Sequence, residues 1–370
     1  MACPDGTGRI LEVGPGKQFT LPSQAAAVAQ NGDTIHIAAG QYHGDVASWG
    51  ANNLTICGIG GRAALFADGQ NAEGKGIWVI SGPNTSTTTI VNVEFHDASV
   101  PDQNGAGIRL DGGNLLLRNT GFYDNEDGIL GGEQGTTVTI EYSEFARNGF
   151  GDGFSHNCYI GFVDRLNVKA SYFHEAKIGH NLKSRGKENY IEDSYFMDGP
   201  TGTSSYLVDI PNGGVLFMRG NLFHKGPNAD NSIAISYWAE PGNGGVNWPT
   251  NTVTMVQNTV VSTFSGGTYI YAPSNTTSLT LTANLFAGSA GLLTGGFASS
   301  KAIQTSNFMT TAANVPNAPT GQFWPNASIL SQLGLATIPD PNYVQDSPQP
   351  MVLRTITGTT RMIGALQSSP

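Results

Sequence analysis

Three registers repeat along this chain, and together they constrain its fold more than any other feature. A hydrophobic residue recurs at Phe95, Phe122, Phe145, Phe173, Phe196, Phe223, Val260, Phe286 and Phe308, at gaps of 27, 23, 28, 23, 27, 37, 26 and 22 residues. A unit of about 22 residues with insertions of variable length accounts for every gap. Two positions before each marker stand Val93, Thr120, Ser143, Ser171, Ser194, Asn221, Asn258, Asn284 and Ser306, all but the first small and polar. Five positions before it stand Ile90, Leu117, Ile140, Val168, Ile191, Met218, Met255, Leu281 and Ile303, every one aliphatic or methionine. A unit this short cannot bury its own core. Units stacked about 4.8 Å apart, with inward residues in columns, bury a continuous one. The polar column then forms a hydrogen-bonded ladder at a corner. The expectation is an all-β parallel β-helix (a solenoid) forming one elongated domain. The consensus of leucine-rich repeats is absent, and a propeller needs longer repeats of four strands.

A second strand follows each marker: Gly107-Ile108-Arg109, Gly128-Ile129-Leu130, Tyr159-Ile160-Gly161, Asn181-Leu182-Lys183, Leu207-Val208-Asp209 and Ala234-Ile235-Ser236. The middle residues are expected to form an inward aliphatic column, with their neighbours turned outward. The ends read differently. Residues 1–50 are expected to cap the coil stack with a helix over Leu21–Gln30, with Ser23 as its N-cap. Residues 51–310 carry the coils. Residues 311–370, with Pro339-Asp340-Pro341 and Pro348-Gln349-Pro350, read as an irregular tail packed on the helix.

Composition narrows the function classes. Charged residues are 12%, about half the usual share of roughly 25%. A hydrophobic content of 39% is too high for a disordered chain. No run of eighteen apolar residues appears, so no membrane span is expected. A net charge of −10 argues against nucleic acid, whose phosphates demand a basic surface. Cys3, Cys57 and Cys158 have no metal-like spacing and encode no disulfide framework, although one pair has room to form. Low charge, 49 glycines and many Asn, Ser and Thr suit an exported protein, secreted or periplasmic, whose signal peptide has been removed.

Gly, Ser and Thr fill most outward positions, and residues 150–245 are the exception. There His156, Asn157 and Tyr159, then His180, Asn181, Lys183 and Arg185, then Asp209, and finally Tyr237, Trp238 and Glu240 fall on or beside the second strand of consecutive coils. In that register Lys183 and Asp209 are outward neighbours on adjacent rungs, roughly 5 Å apart. The longest insertions, 147–156 and 239–250, flank the patch as walls of a groove. Each residue also has a plainer reading. Lys183 and Asp209 alone would make a surface ion pair, the histidines and asparagines would serve corners and turns, and Tyr237 would be core. Their coincidence on three or four adjacent rungs favours a site.

The chain resembles the pectin-lyase-like superfamily of right-handed β-helix proteins over about residues 10–310. The opening Gly14-Pro15-Gly16-Lys17, Asn31-Gly32-Asp33-Thr34-Ile35 and Ala39-Gly40-Gln41-Tyr42 is similar to that superfamily's first coil. Met362-Ile363-Gly364-Ala365-Leu366 resembles a tail of its exported bacterial members. The resemblance implies a polysaccharide lyase, a uronate epimerase, a glycoside hydrolase or a depolymerase, because fold does not settle the reaction. A lyase removes the proton at C5 beside a uronate carboxylate, so a cation must neutralise that carboxylate while a base and an acid move protons. Lys183 and Arg185 match the Lys and Arg of alginate and dermatan lyases in residue type, with His180 and Asp209 as catalytic partners. Which of them acts as base and which as acid stays open. His156, Asn157, Tyr159, Asn181, Arg219, Tyr237, Trp238 and Glu240 are the expected contacts to an acidic polysaccharide. The family implies Ca2+ as a possible cofactor, but the usual aspartate cluster is not evident and the metal ligands are unknown. The alternatives are a hydrolase with Asp209 and Glu240 or Asp152 as paired carboxylates, and a non-catalytic glycan-binding scaffold.

Overall fold

The computed structural model describes residues 1–335 and 361–367. Its rungs are built as the repeat requires, giving an all-β, right-handed parallel β-solenoid of about 11 turns with few helices. The chain divides into two compact units, Met1–Asn167 and Val168–Pro370. In the first, the parallel strands Thr87–Val91, Asn114–Arg118 and Thr137–Glu141 set Ile90 opposite Leu117 and Leu117 opposite Ile140. The strands that follow align Phe95, Phe122 and Phe145. All six side chains are fully buried, and the rings stack at 5.0 and 4.5 Å. In the second unit the columns are Ile191–Met218–Met255–Leu281 and Phe173–Phe196–Phe223–Val260–Phe286. Burying each such side chain contributes about 1.5–3 kcal/mol.

Between the two strands of a rung one residue adopts a left-handed conformation: Asn119 (φ 52°), Tyr142 (51°), Asp193 (52°), Gln257 (50°) and Ala283 (54°) hold this place. The next residue turns its polar side chain into the corner. Asn258 Oδ1 accepts the backbone N–H of Asn221 at 3.0 Å, and Asn284 and Asn307 repeat the contact at 2.9 Å. The Nδ2 of each donates to a carbonyl of the rung before it, Asn258 to Met218 at 3.0 Å and Asn284 to Met255 at 2.9 Å. In the first unit Thr120 and Ser143 pair their hydroxyls at 2.9 Å.

The left-handed residue also corrects the last copy of the repeat. Ser306 has φ 54°, so it shares the column of Ala283 rather than that of Asn284. Asn307 continues the ladder, Met309 lies opposite Phe286, and Gln304 lies opposite Leu281. The expected closing residues Phe308, Ser306 and Ile303 are each one position early, and Ile303 is 59% exposed. Phenylalanine at 308 outscored Met309 as a marker by hydrophobicity alone.

The second strands form their own sheet. Ile108 pairs with Ile129 in the first unit, and Leu182, Val208, Ile235, Ile270 and Leu293 make one column in the second. Ile160 is inward but registers with Gly131 rather than Ile129. The expected helical cap is not shown. The segment forms only the five-residue helix Pro22–Ala26, with Leu21 as N-cap, and Ser23 instead hydrogen-bonds Asp45. Cys3 and Cys57 form a disulfide within the first unit, and Cys158 is a buried free thiol. At the other end Val315, Phe323, Leu333 and Ile363 bury against Tyr195, Leu222 and Leu285 of the second unit. The proline-rich segments at 339–341 and 348–350 lie outside the described residues.

Removing one rung of the ladder tests this account. Asn258→Ala leaves the buried Asn221 N–H and the Met218 carbonyl without a partner, at about 1–3 kcal/mol for each buried group. A urea unfolding midpoint lowered by an amount consistent with at least about 2 kcal/mol is expected, and no shift would make the ladder dispensable.

Candidate functional site

The site residues that come together lie in the second unit. Leu182, Val208 and Ile235 point inward, so the next residue on each strand points outward. That builds the column Lys183, Asp209, Ser236, Tyr271 and Thr294, each opposite the next on parallel strands. The pairing of Lys183 with Asp209 is the one the spacing predicts.

Asp209 is 2% exposed. Burial pushes its carboxyl up to about 6, against the pull of Lys183 and then Arg185, while Glu240 adds to the rise. Its Oδ2 lies 3.5 Å from His180 Nε2. The Ser236 hydroxyl on the next rung also pulls the carboxyl down, although Oδ1 closes no well-formed hydrogen bond among the described residues. His180 sits just before the strand, and its ring stacks on Tyr206 at 4.8 Å. Burial, and then the charges of Lys183, Lys225 and Arg185, hold its pKa well below the ordinary value. The imidazole is therefore neutral at pH 7. Its Nδ1 accepts the Tyr206 backbone N–H at 3.2 Å, which assigns the proton to Nε2, facing Asp209.

Arg185 continues the line of Lys183. Its Nη1 donates to Asn212 Oδ1 at 2.5 Å and its Nη2 to Glu240 Oε2 at 2.7 Å. Lys183 Nζ is 4.0 Å from Glu240 Oε1. The 239–250 insertion thus closes over the cations. It contributes Glu240, the Asn243 amide on Glu240 Oε2 at 2.8 Å, and Trp248, whose indole donates to the Arg185 carbonyl at 3.0 Å. Burial works against the charge of Glu240, but the Arg185 hydrogen bond and the charge of Lys183 outweigh it and hold its carboxyl below the ordinary value. Behind the site, buried Lys225 donates to the Ser204 and Ser205 carbonyls and lies 3.8 Å from buried Asp198. It fixes the chain just before Tyr206.

The other expected residues are placed as follows. Asn181 is fully buried and its Oδ1 accepts the Ala176 N–H at 3.2 Å. His156, Asn157 and Tyr159 belong to the first unit. There His156 is fully buried, with its ring edge-on to Tyr159 at 5.3 Å and its N–H on Asp127 Oδ1. Asn157 Oδ1 accepts from the backbone and the amide of Asn148 at 2.9 Å, extending a second asparagine ladder from Asn125. Of the remaining expected contacts, Arg219 and Tyr237 are placed outside this cluster, whereas Trp238 is half-buried just past the strand Ile233–Tyr237. Arg219 lies on the other sheet, paired with Glu192 at 2.6 Å. Tyr237 is fully buried, its hydroxyl on the Gly214 carbonyl at 2.6 Å, so it offers no face to a sugar. Trp238 packs against Gly213 (φ 75°), where any Cβ would meet the indole at 2.8 Å.

Sequence reading missed Tyr206, Asn212, Ser236, Tyr271 and Trp248. Counting one residue on from the inward column would have found Ser236 and Tyr271. Tyr206 and Asn212 lie outside the strand Val208–Ile210, where strict alternation ends. Calcium is a poor fit to this cluster. The ion needs six to eight oxygen ligands, whereas Glu240 is held by Arg185 and Asp209 faces His180 and Lys183. No group of three or more His, Cys, Asp or Glu able to hold a metal occurs among the described residues.

No family model matches the chain, and no curated protein matches it. Among solved structures, a PL6 family alginate lyase, AlyGC, is similar at a TM-score of 0.37 and 16% identity. The likeness covers 83% of this chain and 40% of that one, so the chain spans about two fifths of that protein's length.

The Asp209 carboxyl gives a pH test. Its folded pKa lies above the ordinary 3.8, so the stability it contributes is complete below about pH 4 and is lost as pH rises through 6. Asp209→Asn removes that loss. The difference in unfolding free energy, variant minus wild type, should grow by about 2 kcal/mol between pH 4 and pH 7. A difference that stays flat across this range would mean that Asp209 titrates normally.

Proposed function

We propose that the chain is a polysaccharide lyase that cleaves a uronic-acid-containing polysaccharide by β-elimination at the Lys183–Arg185–Asp209 cluster. One observation carries this reading: two nearly buried cations, Lys183 on the strand Leu182–Ser184 and Arg185 just past its end, converge on a single carboxylate position. That is the arrangement needed to neutralise a uronate carboxylate while the adjacent C5 proton leaves. Arg185, braced by Asn212, holds the substrate carboxylate. His180 presents its protonated Nε2 toward Asp209, so it cannot accept a proton at that nitrogen and serves to orient Asp209. The C5 proton passes to Lys183, the C4–O bond breaks and the C4–C5 double bond forms, with Arg185 left as the cation on the carboxylate. Tyr206 supplies the proton to the leaving oxygen, since burial and then Asp209 raise its pKa and keep the phenol protonated. The same reading makes the protein exported, and the Cys3–Cys57 disulfide supports that, because such bonds persist in oxidising compartments.

A hydrolase is the second reading. The observation in its favour is the opposite shifts of Asp209 and Glu240, the pattern of an acid and a base pushed apart. Against it, Glu240 is clasped by Arg185 and Asp209 is almost sealed from solvent.

Products separate the readings. Incubation with a panel of acidic polysaccharides should generate ultraviolet absorbance from a C4–C5 double bond. New reducing ends without that absorbance would mean a hydrolase, and no products would mean a binding protein. Lys183→Ala should lower kcat by about 10²–10⁴-fold, and Arg185→Ala should raise KM with a salt dependence weaker than that of wild type. Near-normal turnover by a folded Lys183→Ala variant would refute its role.

A further inference from the structure

We infer that Glu240 is a built-in occupant of the substrate-carboxylate position, so that the resting site holds its own anion and the substrate must displace it. The inference rests on the acidic-polysaccharide reading and names how that site is regulated. Glu240 touches the two cations assigned to substrate, through Oε2 to Arg185 at 2.7 Å and through Oε1 toward Lys183 at 4.0 Å. Its side chain is 37% exposed, against 7% for Arg185 and 11% for Lys183. The carboxylate therefore lies on the solvent side of both cations, where a uronate would arrive.

Release needs no loop opening. The Glu240 backbone is pinned, its N–H on the Pro211 carbonyl at 2.8 Å, and the loop is tied at Asn212 and Trp248. Rotation of one half-exposed side chain frees the position, and the displaced carboxylate passes into water, where its charge is well solvated. The incoming carboxylate replaces one anion by another on the same donors. The exchange therefore leaves the charge of the site nearly constant, and it disfavours neutral sugars, which would displace Glu240 without returning an anion to Arg185.

The test compares wild type with Glu240→Gln and Glu240→Ala, each checked for cooperative unfolding. The probes are D-glucuronate, its methyl ester as the uncharged control, and a uronate trisaccharide, with affinity read by calorimetry. Glucuronate and the trisaccharide should bind the variants about tenfold tighter than wild type, a factor worth 1.4 kcal/mol. The ester should be unaffected. Equal affinity of wild type and variants for glucuronate overturns the inference and leaves the acidic-polysaccharide reading standing. No binding of any charged probe to any form overturns both. If neither variant folds, Glu240 is a structural clamp, and the inference fails.

Discussion

A left-handed residue followed by a buried polar side chain is the constraint on which each unit rests. Once the chain has turned at Asp193, Gln257 or Ala283, the next side chain has one direction available, into the corner. There it meets a backbone N–H and a carbonyl of the rung before it. Those groups are buried, and leaving them unpaired costs about 1–3 kcal/mol each. The ladder therefore locks successive rungs in phase. Phase matters because side chains alternate faces, and a slip of one residue would turn a whole strand over. Lys183 stands opposite Asp209, instead of beside an inward valine, because Leu182 and Val208 are held in the same column.

Two clusters of buried opposite charges in the second unit contrast in how fully they are closed. The Asp198 carboxylate accepts the Gly226 N–H and the Ser204 hydroxyl, while Lys225 donates to two carbonyls. That pair is closed on itself and contributes by fixing the Ser204–Tyr206 segment. The Lys183–Arg185–Asp209–Glu240 group is not closed. Asp209 Oδ1 closes no well-formed hydrogen bond among the described residues, and its carboxyl rises to about 6 although two cations are near. Desolvation of an ion costs several kcal/mol, which an imperfect network does not recover. An incompletely compensated charge beside a solvent-reachable carboxylate is the pattern of a site shaped for a further group.

Much of this was legible in the sequence because it follows from local rules. The three registers gave the columns, and the parity of Leu182, Val208 and Ile235 placed Lys183 over Asp209. The failures came where those rules end. Ser306 and Phe308 fall one position early because hydrophobicity does not fix the register, whereas the left-handed position does, and it holds side chains as different as those of Tyr142, Gln257 and Ala283. Tyr237 falls among the expected contacts because it stands close to Trp238 and Glu240 on the chain, yet it pairs with inward Ile210 at a strand end. Arg219 is near in sequence to the site strands but leaves its rung on the other sheet. Tyr206, Asn212 and Trp248 reach the site from turns, whose geometry alternation does not describe. Only the fold could bring Cys3 to Cys57, across 54 residues.

The repeat gaps hold the remaining signal. In a laddered solenoid the strands and corners cannot change length without breaking phase, so variation is confined to the connections between them. The longest gap, 37 residues between Phe223 and Val260, contains the 239–250 insertion. That insertion supplies Glu240 to Arg185, Asn243 to Glu240, the Asn243 and Val246 carbonyls to Asn212, and the Trp248 indole to the Arg185 carbonyl. The strands contribute the cations and the loop contributes the anion and the cover. An acidic protein of net charge −10 can therefore keep a local cationic position, because the field at the site is set by groups a few ångströms away, while the distant carboxylates are screened beyond about 8–10 Å. Insertion length, measured against an unbroken ladder, marks where such a scaffold has been free to acquire chemistry.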